Sequence, residues 1–125
     1  MNRSKVEIEY LFRASPTILY TFFTRPATLV RWFCDEVDIE KETYSFFWEG
    51  TPEVAELITD LEDEKLVWEW EEGEDDEYWE VNFQKSPVTG ETIMNVIEFC
   101  DEGEEEDTRA LWDSLIARLR IATGG

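Results

Sequence analysis

Between Lys5 and Phe12, Val6, Ile8, Tyr10 and Phe12 alternate with Glu7 and Glu9, the period of a strand with one wet face. Ser15 and Pro16 then form a helix start, cap followed by proline at the first helical position, and Ile18, Leu19, Phe22 and Phe23 recur at helical spacing up to Thr24. Pro26 begins a second short helical piece, with Leu29, Val30, Trp32 and Phe33 available to a core. Six further strands are predicted: 36–41, 43–49, 53–61, 65–72, 78–85 and 92–100. The clearest is the fourth, with Leu66, Trp68 and Trp70 on one face and Val67, Glu69 and Glu71 on the other. Turns are expected at Gly50-Thr51-Pro52, in the acidic segment Gly73 to Glu77, and at Pro87 to Gly90.

The chain closes with an amphipathic helix. Thr108, Leu111, Trp112, Leu115, Leu119 and Ala122 share one stripe, acid precedes it, Arg118 and Arg120 lie near its far end, and Gly124-Gly125 stops it. The sequence therefore predicts an α+β fold in the order strand, two short helices, six strands, long helix. At 125 residues, without an internal repeat or linker, it is expected to form one domain over residues 1–125.

That order resembles the helix-grip, START-like superfamily, in which a curved antiparallel sheet of about seven strands wraps a long C-terminal helix. Ala14-Ser15-Pro16-Thr17-Ile18-Leu19-Tyr20 is similar to its entry into the first helix. Leu29-Val30-Arg31-Trp32-Phe33, Leu66-Val67-Trp68-Glu69-Trp70 and Leu111 to Leu119 resemble the second helix, a Trp-ended strand and the closing helix of its chaperone-ATPase-activator branch. The resemblance implies either a cavity between sheet and helix for lipid-like or polyketide-like molecules, or a surface that docks on a chaperone. The chain departs from the pattern in its acidity, its six Trp and its lack of His, and looks nearest to compact bacterial START-like domains of unassigned function.

Composition narrows the function further. With 31 acidic against 11 basic residues and a net charge of -20, nucleic acid and anionic membrane are poor partner candidates; the acid is expected first to keep a very aromatic protein soluble, with a basic partner as the sharper alternative. Without His, the common acid-base groups, Ser-His and Cys-His pairs and the usual neutral metal ligand are missing. The acidic runs 72–77 and 101–107 lack the spacing of a calcium loop, and no Gly-rich phosphate loop is present, so neither metal nor cofactor is expected. Cys34 and Cys100 have acidic neighbours and no activating His, so both are expected to be idle thiols in a reducing, cytoplasmic setting.

The aromatic set then carries the expectation of function. Phe46, Trp48, Trp68, Trp70, Trp79, Phe83 and Trp112, with Leu111, Leu115 and Leu119, are expected on the concave sheet face or the gripped helix, either filling a core or lining a pocket. Asn95, between Ile93 and Ile97, is the neutral polar residue expected to point inward. The leading expectation is a non-catalytic module binding a small hydrophobic or aromatic ligand between sheet and helix. Its rival is a protein-interaction domain docking a basic partner through acid. An enzyme of cyclase or hydratase type ranks last, no inward pair of ionisable residues being nameable. A homodimer through an open sheet edge is a further possibility.

Overall fold

The computed structural model describes residues 2–74 and 76–125; Asp75, within the predicted acidic turn, lies outside them. Strand β1 (Arg3–Phe12) leads into α1 (Pro16–Thr24) and α2 (Pro26–Leu29). The meander follows: β2 (Glu36–Glu40), β3 (Thr43–Trp48), β4 (Thr51–Leu61), β5 (Lys65–Trp70), β6 (Trp79–Lys85) and β7 (Thr92–Asp101). Helix α3 (Glu105–Thr123) ends the chain.

Local chemistry starts and stops these elements. Ser15 accepts a hydrogen bond from the Ile18 backbone N–H at 3.2 Å, with Pro16 in the first helical turn. Glu105, Glu106 and Asp107 occupy the first turn of α3 and Arg120 the last, and Gly124 closes it at φ 82°. The expected break at Gly50-Thr51-Pro52 is shorter than the sequence suggested. Only Glu49 and Gly50 turn, and β4 resumes at Thr51 because Pro52 pairs with Phe47 beyond the last β5 partner, where a missing N–H costs nothing.

Every neighbouring pair is antiparallel, in the order β1-β7-β6-β5-β4-β3-β2, so β1 and β2 are the edges. A register shift between Leu57 and Thr59 interrupts β4 against β5, the kind of irregularity that bends a sheet. One face carries Val6, Phe12, Tyr44, Phe46, Ala55, Leu66, Trp68, Trp79, Val81, Phe83, Met94 and Val96, all buried. Trp112, Leu115, Ile116 and Leu119 of α3 join them in one cluster, together with Leu19, Phe22 and Phe23 of α1 and Leu29, Trp32 and Phe33 at α2.

Three expected orientations are corrected. Asn95 lies on the outer face, opposite Glu9 and Asn82, and the inward residues of β7 are Thr92, Met94, Val96, Glu98 and Cys100. Both faces of this strand are apolar, so alternation alone does not decide which set turns in. Leu111 is 59% exposed and Ile116 takes its place, because the stripe centres on Trp112, Leu115 and Leu119. Val30 is 42% exposed while Leu29, Trp32 and Phe33 are buried.

Candidate functional site

The concave face is filled by rings. Trp68 and Trp79, both 0% exposed on neighbouring strands, stack with centroids 4.1 Å apart and planes 19° apart. Phe33 stacks on Trp79 at 5.0 Å, and Trp70 lies parallel to it at 5.8 Å. Phe46 meets Phe33 edge-on at 5.0 Å, and Trp112 reaches down from α3 to within 5.8 Å of Trp79. Phe83, Leu115 and Leu119 are buried in the same cluster, and Trp48 packs against it from the partly buried end of β3. Of the residues expected to share a site, all but Asn95 and Leu111 therefore converge on one aromatic stack. Offset and edge-on rings at these separations gain packing energy in place of open volume.

The six indole N–H groups divide into three pairs. Trp32 and Trp48 donate to the backbone carbonyls of Phe22 and Phe33 at 2.9 and 2.8 Å. Trp70 and Trp112 face the carboxylate of Glu98. Trp68 and Trp79 have buried Nε1 atoms with no acceptor, a condition rare in folded proteins.

Glu98 is the functional candidate that the sequence did not single out. It pairs with Val6 across the β1–β7 ladder on the inner face, and burial pushes its carboxyl up to about 7 from an ordinary 4.5. The indole N–H groups of Trp112 and Trp70 and the Phe99 backbone pull the other way, and Glu77 adds to the rise. The missed signal was parity: once Met94 and Val96 face inward, Glu98 must follow. It lines a cleft of about 400 Å³ at the rim of the palm, shared with Arg3, Glu53, Trp70, Glu77 and Tyr78. Arg3 is already held by Glu77 at 2.7 Å and Asp101 at 2.6 Å. At that value the Glu98 carboxyl is divided between its protonated and ionised forms near neutral pH.

The thiols are buried and free, and burial, reinforced by Asp35, pushes Cys34 up to about 12, far from a thiolate nucleophile. Among the described residues, no group of three His, Cys, Asp or Glu side chains is arranged to hold a metal ion, and no helix is long and apolar enough to cross a membrane.

Charge is unevenly distributed. Residues 35–103, the meander and its turns, hold 24 acidic and three basic residues, whereas the rest of the chain holds seven acidic and eight basic. The register places Glu40, Glu56 and Glu69 in one outer row across β2 to β5, with Thr43 between. Asp38, Ser45 and Val54 form the next row.

Comparison with known proteins agrees with this architecture. A family model described as a START-like superfamily domain matches residues 1–125. A Bacteroides fragilis protein solved by NMR is 30% identical, with 96% of this chain and 90% of that one aligned and a TM-score of 0.69. The Aha1 dimer from Colwellia psychrerythraea shares the fold at 15% identity, 96% coverage of both chains and a TM-score of 0.77. A protein of Mesorhizobium loti does so at 14% identity, 95% and 96% coverage and a TM-score of 0.76. No curated protein sequence matches. The bent seven-stranded sheet closed on its last helix is thus the fold of the family whose model spans the chain, and the protein belongs to the START-like superfamily.

Proposed function

We propose that this START-like domain is a non-catalytic interaction module that docks a basic protein partner through its acidic meander. The observation that carries the reading is the segregation of charge: the negative excess resides between residues 35 and 103, and the register sets Glu40, Glu56 and Glu69 in one outer row of the sheet. The filled palm supports it, since Trp68, Trp79 and Phe33 occupy the space a ligand would need. Exposed carboxylates in register attract Lys and Arg at long range and lose that attraction as salt screens them. The test is capture of partners from a cell extract by the protein and by a triple variant Glu40→Lys, Glu56→Lys and Glu69→Lys. Recovery of basic proteins that falls with added salt and is lost in the variant is the expected result; equal recovery by both forms refutes the reading.

A second reading rests on a separate observation. The buried, acceptor-free Nε1 atoms of Trp68 and Trp79 are donors suited to an oxygen of a small hydrophobic or aromatic molecule held between sheet and α3. Native mass spectrometry of the protein incubated with a small-molecule extract decides it: a stoichiometric adduct supports a ligand, and a bare mass removes it. Pairing of two copies, in the manner of the dimeric Colwellia neighbour, is compatible with either reading.

A further inference from the structure

The chain contains only four carboxamide side chains, Asn2, Asn82, Gln84 and Asn95, and three of them line one cleft on the outer face of the sheet. This cleft, of about 630 Å³, is separate from the aromatic palm and falls in the size range of small-molecule sites. Register explains its composition. Glu9 of β1, Asn95 of β7, Asn82 of β6 and Lys65 of β5 are direct neighbours in one row across four strands. Gln84 and its partner Ile93 stand in the adjoining row.

Two features mark the row as more than solvated surface. The Asn95 Oδ1 is buried and accepts no hydrogen bond, an unmet acceptor on a face where water is otherwise available. Glu80 takes a hydrogen bond from Asn82 Nδ2 at 2.7 Å and lies 3.8 Å from Lys65 Nζ, so one carboxylate positions both groups. That leaves the carbonyl oxygen of Asn82 as an acceptor.

The lining selects the chemistry. A carboxamide offers a donor beside an acceptor, the pattern that matches adjacent hydroxyl groups. Asn82 and Asn95 sit directly opposite each other, about 5 Å apart, roughly the width of a sugar ring. Ile93 and Leu61 add apolar surface suited to the C–H face of such a ring. Glu9 and Glu64 disfavour an anion, while Lys65 is already paired with Glu80, so the carboxamides are the lining groups left to recognise a ligand. We propose that this outer cleft binds an uncharged polyhydroxylated molecule of mono- or disaccharide size through Asn82, Gln84 and Asn95.

With four carboxamides, the side-chain region of a ¹⁵N–¹H spectrum reports the site directly, and Asn2, outside the cleft, serves as the internal reference. The probes are glucose, maltose and trehalose, with tetraglycine as an uncharged peptide control. The expected result is a saturable shift of the Asn82, Gln84 and Asn95 signals with at least one sugar, Asn2 unmoved, and affinity about tenfold weaker in Asn95→Ala, as loss of one or two hydrogen bonds dictates. Gln84→Ala, at an exposed position, makes the same test if Asn95→Ala fails to fold. No shift with any sugar, equal shifts at Asn2, a response to tetraglycine alone, or unchanged affinity in the folded variant overturns the proposal.

Discussion

The two edges of the sheet face the same hazard and meet it by opposite means. A free edge offers unpaired N–H and C=O groups to any passing strand. At β1 the edge is covered from α3: Arg109 donates to the Glu7 carbonyl at 3.1 Å, and Arg120 donates to the Leu11 carbonyl while its guanidinium lies 4.5 Å from the centre of the Phe12 ring. The chain end adds to the cover, the Arg13 N–H donating to Gly125 O at 2.7 Å. At β2 the device is charge, with Glu36, Asp38 and Glu40 projecting to the exposed side while Val37 and Ile39 turn inward. A second copy approaching β2 meets carboxylates opposite carboxylates; one approaching β1 finds the Glu7 and Leu11 carbonyls taken. The cationic edge belongs to the balanced part of the chain and the anionic edge to the meander, so the segregation of charge is also a division of labour between edges.

The comparison breaks hardest at the centre, which both edges need. Trp68→Ala on the middle strand empties the stack against Trp79 and is expected to cost about 3–5 kcal/mol in denaturant unfolding. Next comes Glu98, on the strand beside β1. The folded protein holds its proton up to about pH 7, whereas the unfolded chain releases it near 4.5, so the folded state binds more protons in that window and stability falls as pH rises through it. Glu98→Gln removes this term: it should leave stability near pH 4 little changed and raise it above pH 7 by up to about 3 kcal/mol. A pH series of unfolding curves in which both proteins keep the same slope contradicts this placement of Glu98.

Smaller effects sharpen the contrast between the edges. Arg120→Ala takes away a charged hydrogen bond and a cation over Phe12, and should cost about 2 kcal/mol. Replacing Glu36, Asp38 and Glu40 together by Thr should change monomer stability by less than about 1 kcal/mol, since exposed charges contribute little. It should nonetheless drive association, read as a concentration-dependent mass in sedimentation. A triple variant that stays monomeric at high concentration would show that β2 is protected by something other than charge.

Alternation and spacing made most of this fold legible. The inward set Leu66, Trp68 and Trp70, the cap at Ser15 and Pro16, and the acid start and glycine stop of α3 are all local patterns, and all appear in the structure. The site was less legible, for an identifiable reason at each position. In β7, both the Thr92-Met94-Val96 set and the Ile93-Asn95-Ile97 set are apolar enough to turn inward, and only pairing with β1 and β6 chooses between them. That choice moved Asn95 outward and carried Glu98 inward. In α3, Leu111 and Ile116 both border the stripe, and the position of Trp112 against Trp79 decides which is buried.

The sequence by itself determined the order of elements, the family and the excess of acid, because periodicity, caps and composition are properties of neighbouring residues. Only the tertiary structure decided that indoles fill the palm, that three carboxamides meet in one outer cleft and that one carboxylate at the rim of the palm faces two tryptophans. Those facts depend on strand register, which aligns residues far apart in the chain and is fixed by the packing of the whole sheet around α3.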